Sequence, residues 1–277
     1  DAEREAGEEL IEAAKADDLG LCKEILAYGK EEGFSLVNFR VPAFPAYDPA
    51  IRWTDFSPLM AAARSGSESI VRFLASEHQA EIEYFDRDRK MTALLWAAEG
   101  NHAEVIRVLK EYSDHNYRDL QGRTALLIAA AKGHAEATEQ LLWSCDVNAT
   151  DKSGYNSLAY ACINGALGVA RKLCDFDADV QQENLERRTP LIHAARWGYH
   201  KIVKMLLDRG ADADHRDKYG WTALMMAARW NKLECARALL EYGADPAPTE
   251  RSSGRNALMF ASIHSRNTKL VGAILMK

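Results

Sequence analysis

Two Arg-Trp pairs, Arg196-Trp197 and Arg229-Trp230, lie 33 residues apart in the second half of the chain. A guanidinium binds carboxylate and phosphate groups through paired hydrogen bonds, and an indole offers a large, flat apolar surface. Trp and Arg are also enriched at the few positions that carry most of the binding energy of protein interfaces. This chemistry predicts recognition of an acidic or phosphorylated segment that carries hydrophobic anchors.

The sequence lacks the common catalytic and metal-binding motifs. The sequence has no glycine-rich phosphate loop, no H-E-x-x-H zinc motif and no G-x-S-x-G nucleophile motif. Cys162 and Cys174 lie on different predicted helices without a histidine in motif, so a zinc site is not expected. His193 is predicted to be a core histidine with satisfied hydrogen bonds. We therefore expect no enzyme activity and no cofactor.

The composition is that of an ordinary globular protein. Of the 277 residues, 47% are hydrophobic and 27% are charged, and no apolar run is long enough for a transmembrane helix. The net charge of −6 argues against nucleic-acid binding through a general positive field. Five cysteines without a CxxC pair indicate a reducing compartment, so we expect the cytoplasm or the nucleus. We also expect a monomer.

The elements that position these residues are indicated by a sequence repeat. A small polar residue, then usually Ala or Pro, then Leu recurs with starts near residues 57, 92, 124, 156, 189, 222 and 256. A fixed period of this length is typical of a helical repeat array. The polar residue is predicted to cap a helix by accepting a backbone N–H, and glycines such as Gly198 are predicted to end that helix in the left-handed conformation.

The repeats resemble the ankyrin repeat. The segment from Thr189 to Gly198 (TPLIHAARWG) resembles its T-P-L-H-x-A-A motif, the segment from Thr124 to His134 is similar and ends in its G-H motif, and Gly210-Ala211-Asp212 is similar to its linker. The resemblance covers the chain from residue 57 onward. It implies an all-α ankyrin-repeat solenoid of about eight helix-turn-helix repeats, which are linked by short β-hairpin loops.

We expect a single ankyrin-repeat domain over residues 1–277. Residues 8–26 fit one further helix pair with a charged exposed side, as in a terminal cap. Residues 27–53 form an insertion rich in proline and aromatic residues, and they are interpreted either as an ordered hairpin finger or as a functional arm. Because the chain lacks an initiator Met and stops inside a final helix, we expect a fragment of a longer protein.

In the ankyrin family, partners usually bind the concave face, and the resemblance assigns residues to that face. The positions just before the repeat starts hold Phe56, Met91, Arg123, Tyr155, Arg188, Trp221 and Arg255. The positions seven and eight residues after the starts include both Arg-Trp pairs, and Lys218 with Tyr219 is predicted at a neighbouring hairpin tip. Arg, Lys and aromatic residues fill most of these positions, although the chain is acidic overall.

Three hypotheses of function remain open. The leading one is an adaptor or scaffold that binds an acidic or phosphorylated peptide or protein through Arg123, Tyr155, Arg188, Arg196, Trp197, Lys218, Tyr219, Trp221, Arg229, Trp230 and Arg255. A receptor for a nucleotide-like ligand would use the same aromatic and basic residues. The third is a targeting arm of an enzyme whose catalytic domain lies outside this chain. Arginine beside the tryptophans disfavours a methyl-lysine cage, and it could also stack on Trp merely to cover it.

Overall fold

The structure is a computed structural model that describes residues 2–40, 55–263 and 268–276. Sixteen α-helices lie in this part of the chain. The connections described contain no regular β-strand, and isolated bridges such as Thr150 with Asn156 and Thr249 with Asn256 occur instead. The predicted all-α class is confirmed, and the predicted hairpin loops are turns, three of which are closed by a single bridge in the described residues.

The chain forms two compact units, of which unit 1 holds residues 1–129 and 134–146. Its helices are α1 (Ala2–Lys15), α2 (Leu19–Glu32), α3 (Pro58–Ser65), α4 (Glu68–Arg72), α5 (Ala93–Glu99), α6 (Ala103–Leu109), the first part of α7 (Ala125–Lys132) and α8 (Ala135–Leu142). A short 3-10 helix occupies Leu36–Asn38, and a π-helical turn, Phe73–Glu77, follows α4.

Unit 2 holds residues 130–133 and 147–277. Its helices after the end of α7 are α9 (Ser157–Asn164), α10 (Leu167–Asp175), α11 (Pro190–Trp197), α12 (His200–Asp208), α13 (Ala223–Arg229), α14 (Leu233–Glu241), α15 (Ala257–Ile263) and α16 (Thr268–Leu275). Each repeat start in this unit lies one residue before the first helix of a pair.

The helix pair at the N-terminus is longer than the predicted 8–26. Its two helices cover Ala2–Lys15 and Leu19–Glu32, because no helix-breaking proline intervenes before Gly33 ends α2 with a left-handed φ of 81°. Residues 27–32 are therefore helical and do not belong to the insertion. Residues 41–53 of the insertion lie outside the described residues, so the finger and the arm both stay predictions.

The predicted helix caps are present at most of the repeat starts. In unit 2, Asn156 Oδ1 accepts the amide of Ala159 at 2.8 Å, and Thr222 Oγ1 accepts the amide of Met225 at 3.3 Å. The cap prediction is wrong for Thr92 and for Thr189, whose side chains accept no amide at the helix start, and the buried hydroxyl of Thr189 has no hydrogen-bond partner. Pro190 begins that helix instead, since its ring fixes φ in the helical range and it has no N–H to satisfy.

Small and branched apolar residues fill the space between the helices. In α11, Leu191, Ala194 and Ala195 are fully buried, and the alanines allow neighbouring helices to approach closely while keeping high helix propensity. The helix ends at Gly198 with φ of +92°, and a Cβ there would lie 2.7 Å from Cδ of Lys232. The predicted left-handed glycine is confirmed, and it also gives room for the next repeat.

Candidate partner-binding surface

The inward packing of α11 and α13 turns their last residues outward. Because Leu191, Ala194 and Ala195 face the core, Arg196 and Trp197 lie at the surface, and Trp197 is 50% exposed. The same register in the next repeat leaves Trp230 47% exposed beside Arg229. Indoles this exposed are unusual, since Trp is buried in most folded proteins.

The two Arg-Trp pairs form one continuous surface in unit 2. The guanidinium carbon of Arg196 lies 5.7 Å from the ring centroid of Trp197 and 5.6 Å from that of Trp230. The guanidinium carbon of Arg229 lies 6.0 Å from the Trp230 ring and 5.5 Å from the Trp221 ring. We call these five residues the Arg–Trp surface; in it, cations and aromatic rings alternate at cation–π distances.

Phe260, which the sequence analysis missed, supports one end of this surface. Its ring is stacked on Trp221 with the centroids 4.6 Å apart, and the Arg229 guanidinium carbon lies 5.7 Å from it. Phe260 is the fourth residue after the repeat start at 256, the position that His193 and Met226 occupy in the two preceding repeats. That register would have been sufficient to find it.

Arg188 was predicted to be a partner-binding residue, but it is engaged within the fold. Its Nε donates to Oδ2 of the buried Asp217 at 3.0 Å, and its Nη1 lies 2.5 Å from Oε2 of Glu186. Asp217 also accepts the amides of Tyr219 and Trp221, at 2.8 and 2.9 Å. Arg188 therefore joins two successive hairpins and has little capacity left for a ligand.

Arg123 has a similar local role in unit 1. Its Nε and Nη2 donate to Oδ2 of Asp119 at 2.8 and 2.7 Å, and Asp119 is almost fully buried. Phe56 and Met91 of this unit, which the resemblance assigned to the concave face, are buried at 3% and 0% exposure. Phe56 is buried because its ring packs against Trp96, with the centroids 5.2 Å apart, so that assignment is wrong for these two residues.

Tyr155 and His193 pack against each other in unit 2, with ring centroids 5.3 Å apart. His193 is buried, as predicted, but its Nε2 has no hydrogen-bond partner, so the prediction of a satisfied histidine is wrong. Burial, and then the neighbouring charges of Arg188 and Arg196, lowers the pKa of His193 to about 4. The ring is therefore neutral at neutral pH.

Lys218 and Tyr219 lie at a hairpin tip, as predicted from the sequence. The amide of Lys218 donates to the carbonyl of Glu186 in the preceding hairpin at 2.8 Å, and the carbonyl of Tyr219 accepts from Arg251 in the following one at 2.9 Å. Backbone bonds thus hold the three tips together. The side chains of Lys218 and Tyr219 remain exposed.

An open groove of about 440 Å³ adjoins the Arg–Trp surface. Its lining combines basic and aromatic residues with two serines, one methionine and one glutamate: Arg188, Arg196, Trp221, Met226, Arg229, Trp230, Glu250, Ser252, Ser253, Arg255 and Phe260. Arg255, a predicted site residue, is exposed here. The guanidinium groups of Arg196 and Arg255 have no carboxylate within 4.0 Å among the described residues, although the backbone amide of Arg255 donates to Glu250 at 3.3 Å.

Glu250 is the acidic residue of the groove and was not predicted. Its carboxylate accepts from the hydroxyls of Ser252 and Ser253 and from the amides of both, at 2.6 Å for the Ser252 amide and 2.8 Å for the Ser253 amide. These bonds hold the pKa of Glu250 well below its usual range, and the bonds from the two hydroxyls have the largest effect. Glu250 follows Asp217 by 33 residues and opens the next hairpin in the same way, so the repeat register indicated its place.

Within the described ranges, no group of three or more His, Cys, Asp or Glu side chains is placed to hold a metal ion. In the same residues, no helix combines the length and the apolar character that crossing a membrane would require.

Comparison with known proteins agrees with the repeat pattern. A family model described as ankyrin repeats in three copies matches residues 10–119, 59–151, 109–184, 126–217, 176–250 and 210–277. Among solved structures, the ankyrin repeat domain of Bcl-3, a unique member of the IkappaB protein family, is similar with a TM-score of 0.69 and 24% identity, over 79% of this chain and 98% of that chain. This likeness is one of fold. No curated protein matches the sequence. The family matches together span nearly the whole chain, and the chain belongs to the ankyrin-repeat family.

Proposed function

We propose that this chain is an interaction module, an adaptor or scaffold, that binds an acidic or phosphorylated protein segment with hydrophobic anchors through the Arg–Trp surface. Ankyrin repeats are in general protein–protein interaction modules. The observation that carries the proposal is the position of Arg196, whose guanidinium lies between two half-exposed indoles and has no carboxylate partner in the described residues.

The energetics favour binding over a purely structural role of these residues. An exposed cation–π contact contributes only about 0.5–1 kcal/mol. This stabilisation is too small to account for two indoles that are exposed to solvent. A tryptophan that becomes buried at the centre of an interface contributes about 2 kcal/mol or more. Trp197 and Trp230 are therefore suited to hydrophobic anchors of a partner.

The charge of the surface favours an acidic partner. The chain carries a net charge of −6, whereas four arginines and a single carboxylate line the groove beside the Arg–Trp surface. An acidic segment would be repelled by most of the protein and attracted to this part of it. Electrostatic complementarity of this kind raises the association rate and selects the partner's orientation.

A selection from a random peptide library displayed on phage, with the 277-residue chain as bait, tests the proposal. We expect the enriched peptides to combine Asp or Glu with aromatic or large aliphatic residues. We expect the double variant Trp197→Ala/Trp230→Ala, used as bait in parallel, to enrich none of them. Enrichment of basic peptides, or the same peptides on both baits, would contradict the proposal.

The nucleotide-like ligand is a second candidate because the groove joins stacked aromatic rings, Trp221 and Phe260, to arginines. A base could stack on Trp230 while its phosphate met Arg196 or Arg255. Titration with adenosine monophosphate distinguishes it from a peptide site, since a nucleotide receptor binds this compound without any peptide context.

We further propose a reducing compartment, the cytosol or the nucleus, and a monomeric state. The first is supported by five cysteines that are all free thiols. Burial raises the pKa of Cys145 and Cys235 to about 11 and about 12, so these thiols are unreactive at neutral pH. Sedimentation at two protein concentrations tests the monomer, and a fluorescent fusion of the chain in cells tests the compartment.

A further inference from the structure

The groove beside the Arg–Trp surface combines a cationic lining with an aromatic one. One part is cationic, with Arg196 and Arg255, and another is aromatic, with Trp221 and Trp230. Its volume of about 440 Å³ lies near the lower end of the range for small-ligand sites. A groove of this volume can hold one large side chain or one small molecule. The groove therefore suits a single group that is partly anionic and partly apolar.

The cationic part has unused capacity for an anion. Arg188 is already bonded to Asp217 and Glu186, so it contributes little. The guanidiniums of Arg196 and Arg255 have no carboxylate within 4.0 Å in the described part of the chain. Two guanidiniums match the charge of a phosphate monoester, which is about −1.5 to −2 at neutral pH, better than they match a single carboxylate.

Glu250, the carboxylate that lines the groove, does not oppose this charge strongly. Its side chain is nearly buried, and the residue is 2% exposed. Its oxygens already accept from Ser252 and Ser253, through both hydroxyls and both amides. These donors offset its negative charge locally, so the guanidinium of Arg255 remains available to an incoming anion.

The aromatic part offers a stacking surface next to those guanidiniums. Trp230 is 47% exposed and has Arg196 at 5.6 Å from its ring centroid. Trp221 is partly exposed, and its stack on Phe260 fixes the orientation of its ring. An aromatic ring placed on Trp230 would put its para substituent within reach of arginine donors, whereas a phosphoserine has no ring to place there.

We propose that this groove binds an aryl phosphate, the side chain of a phosphotyrosine in the partner. This inference rests on the proposed function and specifies the chemistry of one anchor. Arg196 and Arg255 bind the phosphate through charge-assisted hydrogen bonds. Trp230 stacks on the phenyl ring.

Small probes test the groove without a known partner. We expect calorimetric titration of the 277-residue chain to show that phenyl phosphate binds about tenfold more tightly than methyl phosphate, because only the former can stack. Ala-Ala-phosphotyrosine-Ala-Ala should exceed its phosphoserine equivalent by a similar factor. Equal affinities for phenyl and methyl phosphate would overturn the proposal, and so would adenosine monophosphate binding more tightly than phenyl phosphate.

Variants assign the two parts of the site. We expect Arg196→Gln and Arg255→Gln each to weaken phenyl phosphate binding about tenfold, as the loss of a charged hydrogen bond does. Arg171→Gln, which changes an exposed arginine of α10 outside the groove, is the matched control and should have no effect. Trp230→Ala should remove the advantage of phenyl over methyl phosphate while leaving methyl phosphate binding unchanged. Phenyl phosphate binding that is insensitive to all three groove variants would overturn the assignment.

The same probes separate this inference from the proposed function. If phenyl phosphate does not bind, while library-selected peptides still require Trp197 and Trp230, the interaction surface stands and the aryl phosphate site is wrong. If phenyl phosphate binds as described, while the selected peptides are indifferent to both tryptophans, the groove site stands and the proposed function is wrong.

Discussion

The ring of Trp221 lies stacked on the ring of Phe260, with the centroids 4.6 Å apart and an angle of 28° between the planes. Trp221 precedes one repeat start, and Phe260 is the fourth residue after the next start. The same two positions are paired in other repeats of the chain, by Tyr155 with His193 and by Phe56 with Trp96. In these three pairs, the residue before a repeat start packs one face of its ring against the next repeat. For Trp221, a ligand can therefore contact only the opposite face.

This pairing predicts different stability effects for two tryptophans of the Arg–Trp surface. Trp221→Ala removes the stack on Phe260 and leaves space that the neighbours cannot fill, so we expect a loss of about 2–3 kcal/mol in the free energy of unfolding. Trp197→Ala removes a side chain that is 50% exposed and should cost less than about 1 kcal/mol. Urea denaturation measures both, and equal losses would contradict the pairing.

The buried carboxylate of Asp217 predicts a large effect at a hairpin. It accepts from Tyr219, Trp221 and Arg188, so Asp217→Ala leaves three donors without their partner and should cost about 2–4 kcal/mol. Asp217→Asn is the matched control, because Asn184 accepts the corresponding two amides in the preceding hairpin. We expect the Asn variant to melt between the wild type and the Ala variant. An Ala variant as stable as the Asn variant would show that these bonds contribute little.

His193 predicts a dependence of stability on pH. Its folded pKa, about 4, lies below the ordinary value of about 6.5, so the unfolded chain binds the proton more readily than the folded chain does. The contribution of the neutral ring is present above pH 6.5 and is lost as the pH falls from there towards 4. Between pH 7 and pH 5, we expect the wild type to lose about 1–2 kcal/mol more than His193→Gln. Urea titrations at the two pH values measure the free energy of unfolding of both proteins. If the wild type and His193→Gln lose the same amount between pH 7 and pH 5, this pKa is wrong.

Glycines allow the strain of a left-handed turn to be measured separately from crowding. Gly198→Ala would place a Cβ at φ +92° and 2.7 Å from the Lys232 side chain, whereas Gly210→Ala meets only the strained φ of +81°. We expect costs of about 1–2 kcal/mol for the first and about 1 kcal/mol for the second. Gly168→Ala, inside α10 with nothing near its Cβ, should be neutral or slightly stabilising. Thermal melts of the three variants test this order.

The repeat pattern predicted the fold well because it is a statement about backbone and core. Triplets such as Thr222-Ala223-Leu224 each carry a cap, a close-packing residue and a core residue, so their positions determine where helices begin and what they bury. One departure arose where two residues compete for one role. At Thr189 the following proline begins the helix, and the hydroxyl is left without a partner.

The candidate site was predicted only in part, because side-chain pairs form across hairpins. A count of basic and aromatic residues finds Arg188, but it does not reveal that Asp217, 29 residues later, neutralises it. The exposed positions of Trp197 and Trp230 were implied by the resemblance to ankyrin repeats, which assigns the residues seven and eight after each repeat start to the surface. The repeat register places Phe260 and Glu250 as well, but both are buried, and a pattern of exposed positions does not include them.

The affinity of one library-selected acidic peptide for the Trp230→Ala variant tests the central claim most directly. Trp143→Ala, which changes a tryptophan of unit 1 that is 77% exposed, is the matched control, and thermal melts confirm that both variants fold. We predict that Trp230→Ala weakens binding by about 2 kcal/mol or more, roughly thirtyfold, while Trp143→Ala binds like the wild type. Unchanged affinity of the Trp230→Ala variant, together with weakened binding by Trp143→Ala, would contradict a recognition role for the Arg–Trp surface.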